Sequence, residues 1–211
     1  MTHSLHRVGS RENLKKDWVL LCMASKGIND QPDAIHRLRR FLELCLKNNC
    51  VALGDAKFGN KYHQGSVEAV LNNLVVRSIV TASFNNMDSI IAMLHDLKKE
   101  DLGLSVVVSG LVDETRECCS KTGLKMHTVE HSLGRFGKTE KLPPEHILEM
   151  TTMCGHGMGS ANFIREAIEE VKYKRMTPKQ AAEEMFKPCL CGIFNTTRAA
   201  ELIVEAVRKG L

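Results

Sequence analysis

The chain has 211 residues, a formal net charge of +4, 43% hydrophobic residues and 5% aromatic residues. That length makes one large domain, or one domain with a smaller appendage, with enough apolar material for a full core. The mild charge and the shortage of stacking rings leave no case for nucleic-acid binding, and no DNA- or RNA-binding motif is present.

Met1 to Arg7 lacks the apolar stretch of a signal peptide, and no apolar run approaches the length of a bilayer span, so a cytoplasmic protein without a membrane partner is expected. Trp18 to Ala24 is a continuous apolar run, as in a strand buried on both faces. Ile35, Leu38, Leu42 and Cys45 then share a helical face. Val51 to Gly54 reads as a second strand. Val67, Val70, Leu71 and Leu74 repeat at helical spacing, and a third strand lies within Val75 to Phe84. Ile90, Leu94 and Leu97 mark another helix. Leu104 to Val108, rich in β-branched residues, is the clearest strand. A short helix from Asp113 to Thr122 closes at Gly123, and Lys125 to Val129 reads as a fifth strand. Strands alternating with helical crossovers predict an α/β fold with a five-stranded, mainly parallel sheet and helices on both faces.

After Gly134 the pattern changes. A Gly/Lys/Arg loop leads to Pro143-Pro144, and the rest reads as helix, including a capping-box start at Thr177-Pro178-Lys179-Gln180. The expected organisation is an N-terminal arm (1–16), an α/β body (17–141) and an α-helical C-terminal subdomain (142–211).

Eight cysteines in a reducing compartment point to metal or redox chemistry rather than disulfides. Cys22, Cys45 and Cys50 sit in apolar or boundary contexts and read as packing residues. Cys118 and Cys119 are adjacent on a short helix, about 100° apart, so one faces inward and one outward. Cys154 lies in Thr-Thr-Met-Cys-Gly-His-Gly-Met-Gly, and Cys189 and Cys191 lie in Lys-Pro-Cys-Leu-Cys-Gly. Each group falls in a turn between helices. Cys-x-Cys cannot put both sulfurs on one face of a regular helix, but a turn can aim both at one centre.

Three thiolates without a fourth suit a [4Fe-4S] cluster with one iron left open. Zinc held by Cys154, His156, Cys189 and Cys191 is the alternative, although the one-residue spacings depart from the usual C-x₂₋₄-C. A third reading makes Cys154 a lone nucleophile at a glycine-rich helix start, and a fourth makes all three buried packing residues. The count resembles that of hydro-lyases and sulfur-removing enzymes that keep one cluster iron open; the resemblance covers these three residues and no sequence block.

In a parallel sheet, ligands bind at the carboxyl ends of the strands. The loops expected there carry Asp55, Lys57, Lys61 and His63, and then His131, Arg135 and Lys138. The cations suit a phosphate- or carboxylate-bearing ligand. Gly155-x-Gly157-x-Gly159 follows no strand and has no Walker lysine, so it is not a phosphate loop. The resulting expectation is an iron–sulfur enzyme of anaerobic metabolism, of lyase or sulfur-transfer type. Its open iron would act on a small anionic substrate. His63, His131 and Asp55 would carry catalysis, with His63 or His131 moving protons. Lys57, Lys61, Arg135 and Lys138 would hold the anion. A non-catalytic metal-binding or cofactor accessory protein is the competing expectation, and a homodimer is compatible with either.

Overall fold

Strand β1 (Trp18–Met23) is buried along nearly its whole length, as its apolar run requires. It follows an arm made of a 3₁₀ turn (His3–His6) and helix α1 (Arg11–Leu14). In the computed structural model residues 3–211 are described, with side chains from Leu5 onward; Met1 and Thr2, the start of the expected arm, lie outside the described residues. The chain continues through α2 (Ala34–Lys47), β2 (Ala52–Asp55), β3 (Gly59–Asn60), α3 (Lys61–Gln64), α4 (Val67–Asn72), β4 (Ile79–Phe84), α5 (Met87–Glu100), β5 (Ser105–Ser109) and α6 (Val112–Thr122). Beyond a long irregular segment come α7 (Glu145–Cys154), α8 (Ala161–Lys172), α9 (Pro178–Phe186) and α10 (Thr196–Arg208).

The expected mainly parallel sheet is wrong. The five strands run in the order β3-β2-β4-β1-β5, and every hydrogen-bonded pair is antiparallel. The rhythm of strand, helix and strand was read correctly, because β1 and β2 are parallel to each other, and so are β4 and β5. Each such pair, however, is split by a strand of the other unit. β4 lies between β2 and β1, and β1 lies between β4 and β5. This is the β-α-β-β-α-β, split β-α-β plan of ferredoxin-like folds, a name for topology that carries nothing about iron. Periodicity reports which faces are buried and is blind to which strand is the neighbour. The expected fifth strand at Lys125–Val129 is irregular backbone, and the two-residue β3 takes the place at the other edge.

One face of the sheet presents Trp18, Leu20, Cys22, Leu53, Val80, Ala82 and Phe84 to α2 and α5, with Leu38, Phe41, Ile90 and Met93 filling the layer. Both crossover helices thus occupy the same side. The opposite face carries Val19 and Ala52, which join the core of the C-terminal helices. The alternation of β-strand side chains puts Leu21, Thr81 and Gly54 in one cross-strand row there, and Val19, Ser83 and Ala52 in the next. These are small residues at the centre of a sheet, and they leave a flat floor on which another backbone can lie.

Candidate functional site

The C-terminal unit delivers its three cysteines to that floor. Helix α7 ends at Cys154, and Gly155 takes the left-handed conformation (φ 73°) that stops it. The turn from Cys189 to Gly192 joins α9 to α10, and Gly192 is also left-handed at φ 82°. Gly192 and Gly54 pack backbone to backbone. A Cβ on Gly54 would stand 2.8 Å from the carbonyl oxygen of Cys191, and one on Gly192 would stand 2.4 Å from the nitrogen of Gly54. The Thr81 hydroxyl donates to the Cys191 carbonyl. Asn60 Nδ2 donates to the carbonyl of Cys189 at 2.8 Å and to that of Phe186 at 3.3 Å. Two strands and one edge residue therefore fix the turn in place.

The thiols converge. Cys154, Cys189 and Cys191 are 2%, 0% and 1% exposed. Cys154 hydrogen-bonds to Cys189, which in turn hydrogen-bonds to Cys191. Donating to Cys189, and then burial, pushes the Cys154 thiol far up. At Cys189 the bond received from Cys154 pulls down, while its own bond to Cys191, burial and the neighbouring sulfur outweigh it and push the thiol to about 12. Cys191, at the accepting end, is held below the ordinary thiol value by the Cys189 bond despite its burial. His156 Nδ1 lies 3.7 Å from Cys191 Sγ.

Nearby backbone N–H groups act to lower the value of each thiol: those of Met158 and His156 at Cys154, of Phe194 at Cys189 and of Ile193 at Cys191. Such donors stabilise negative sulfur. A second source of positive potential comes from the N-terminal arm. Arg7 Nη2 donates to the carbonyls of Met153 at 2.8 Å and Ile193 at 2.6 Å, clasping both cysteine turns at once. The same guanidinium pairs with Asp17, which also pairs with Arg198 at 2.6 Å; Asp17 and Arg198 are both fully buried. Glu149 also faces Arg198, and Arg7 lowers the Cys191 value.

The donor chemistry fits a thiolate-bound metal group, but the spacing is tight. A cubane cluster needs sulfurs about 6–7 Å apart, wider than hydrogen-bonded thiols. Among the described residues no group of three or more His, Cys, Asp or Glu side chains is arranged to hold a metal ion as it stands. A cluster would therefore require the Cys154 turn to open. That turn carries Gly157, around which there is open space, and Gly159, which makes only ordinary van der Waals contact with Ile164.

The strand-end residues are scattered. Asp55 is buried, and its carboxylate accepts from the Lys57 N–H and the Ser78 hydroxyl, which makes it a turn former. Lys57 lies 5.2 Å over the Phe58 ring. Lys61 pairs with Glu183 at 3.0 Å and lies over the Tyr62 and Phe186 rings. His63 Nδ1 is 3.2 Å from Asn60 Oδ1, so of these residues it is tied most directly to the Cys189 turn. Arg135 pairs with Glu145 at 3.4 Å, and His131 and Lys138 are exposed on the irregular segment. Among the described residues these groups do not gather into one rim around the thiols.

Sequence reading missed Arg7, Thr81 and Asn60 as supports of the site. Only the glycines offered a signal, through their unusual density near the cysteines. No family model, no curated protein and no solved structure matches this chain.

Proposed function

We infer that this chain is an iron–sulfur protein in which Cys154, Cys189 and Cys191 hold a [4Fe-4S] cluster and leave one iron for a further ligand. The observation that carries the reading is the convergence of three buried cysteines from two separate turns, backed by the nearby backbone N–H groups and by Arg7, which lower the Cys191 value. The cluster would supply a Lewis-acidic iron, and His156, whose Nδ1 lies 3.7 Å from Cys191 Sγ, is the candidate for its further ligand when no substrate is bound. Eight free thiols suit a reducing, cytoplasmic setting.

Of the two roles such a centre serves, the geometry favours holding or handing on a cofactor for a partner over turnover of a small anion by lyase or sulfur-transfer chemistry. Of the residues expected to bind the anion, Lys61 is engaged with Glu183 and Arg135 with Glu145, and Asp55, expected to be catalytic, is engaged in its turn. Zinc on the Cys₃His set is the second reading, favoured by the close approach of the thiols and of His156 to Cys191.

The test is anaerobic purification and reconstitution, followed by iron, sulfide and zinc analysis and electron paramagnetic resonance of the reduced protein. About four irons and four sulfides per chain, lost in Cys154→Ser, Cys189→Ser and Cys191→Ser but kept in Cys45→Ala, is the expected result. Stoichiometric zinc without sulfide selects the second reading, and neither metal after reconstitution overturns both.

A further inference from the structure

A cavity of about 170 Å³ lies on the far side of Arg7, between the arm, the end of β5 and the start of α6. Its walls include Arg7, Asp17, Ser109 and the Gly110-Leu111-Val112 backbone, and the mouth is bordered by Glu130, His131 and Ser132 of the irregular segment. Two independent features there favour a negative group. The Arg7 side chain is only 6% exposed, and its Nε has no hydrogen-bond partner although the rest of the guanidinium is bonded. An orphaned buried cationic N–H is costly and asks for an acceptor. Helix α6, eleven residues long, starts at this cavity, and its N-cap, Leu111, supplies no side-chain cap, so its first-turn N–H groups face the cavity end of the helix uncapped.

We propose that this cavity binds a small monocarboxylate with a short aliphatic body, its carboxylate held between the Arg7 guanidinium and the α6 N-terminus. The single unpaired Arg7 N–H calls for one acceptor, and Glu130 in the wall, with Asp113 and Glu114 in the first turn of α6, opposes a second negative charge. The size selects a short chain, because 170 Å³ is the space of about five or six waters at ~30 Å³ each. The aliphatic body lies against Leu5, Leu14 and Val19. The ligand also reaches the cysteines through a single residue, since Nη2 of the same guanidinium holds the carbonyls of Met153 and Ile193. His131, expected from sequence to serve a catalytic site, stands at the mouth of this cavity and not among the thiols.

The proposal does not rest on a bound metal, so its test uses the metal-free full-length chain. The ¹⁵N-labelled protein is titrated with acetate, butyrate and inorganic phosphate while amide shifts are followed. Butyrate is expected to saturate, with the largest shifts at Gly110, Leu111 and Val112. Each methylene entering the apolar half tightens binding about fourfold, so butyrate, with two more methylenes, binds roughly fifteenfold tighter than acetate. Arg7→Gln is expected to weaken butyrate at least about tenfold, the loss of a charge-assisted bond. Val112→Phe, which fills the cavity without touching the buried ion pairs, abolishes saturation and keeps the test valid if Arg7→Gln does not fold. Binding that ignores chain length, phosphate binding as tightly as butyrate, or unchanged affinity in Val112→Phe overturns the proposal.

Discussion

Replacing Gly192 with alanine tests whether the cysteine turn is held against the sheet as tightly as its backbone contacts imply. The added Cβ would lie 2.4 Å from Gly54 N and from the carbonyl carbon and oxygen of Leu53, all of them backbone atoms that cannot rotate away. Carbon pairs settle at about 3.5–4.0 Å, so the turn and β2 must part by roughly an ångström. The left-handed φ of 82° costs an alanine about 1–2 kcal/mol, the forced separation about 1–3, and the strained Thr81 to Cys191 hydrogen bond about 1 more. The total is about 3–6 kcal/mol, a large share of a typical domain's stability. Gly157→Ala is the internal control, because its φ of 68° is similar but its Cβ meets nothing within 4 Å, so only the backbone cost of about 1–2 kcal/mol applies. Urea unfolding of the metal-free protein, followed by far-ultraviolet circular dichroism, measures both. Equal destabilisation by the two substitutions would refute a clash between the turn and β2.

The buried ion pairs make a directional prediction: Asp17→Ala strands Arg7 and Arg198 as uncompensated cations and costs about 3–5 kcal/mol in urea unfolding, whereas Arg198→Met, which leaves one cation with one carboxylate, costs less. Asn60→Ala removes the donor to the Cys189 carbonyl and the cap of the Tyr62 N–H, for about 2–3 kcal/mol by the same assay, and it raises the rate at which a maleimide labels Cys189. Asp96 gives a pH signature. The amide of Asn48, then the ammonium of Lys47, hold its native pKa below the ordinary 3.8, so the stabilisation is complete above that pH and is lost as the pH falls through the lowered native value. Thermal unfolding of wild type and Asp96→Asn from pH 7 down to pH 2 should therefore show a gap at the upper end that closes at the lower end.

What could be read from the chain, and what could not, follows from the range of each signal. The doubly buried β1, the amphipathic faces of α2 and α5, and the Thr177 capping box are local, set by residues within a few positions of one another, and they were legible. So was the placing of Cys154, Cys189 and Cys191 in turns, which Gly155, Pro188 and Gly192 announce. Strand pairing is a long-range property. Leu21 faces Thr81, and Thr81 faces Gly54, across separations that no periodicity encodes. The segment Lys125–Val129 has the composition of a strand but stays irregular, and β5 ends the sheet with its outer flank unpaired by it; whether a strand adds to an edge is again a long-range matter. Arg7 was invisible for the same reason: nothing near it in sequence says that its guanidinium will reach Met153 and Ile193.

Those long-range contacts share one consequence for the candidate centre. The Cys154 turn belongs to α7, the Cys189–Cys191 turn joins α9 to α10, the floor beneath them is β2 and β4, and the clasp is the N-terminal arm. No contiguous stretch of the chain contains the site, so it exists only when the helical unit is docked on the sheet and Arg7 is in place. A group that binds the three sulfurs therefore binds the docked state and draws its free energy against undocking, since ligation that needs the folded arrangement stabilises it by mass action. The Arg7 guanidinium works in the same direction. If the three sulfurs bind a metal group as thiolates, their negative charge would lie beside Arg7, which already lowers the Cys191 value.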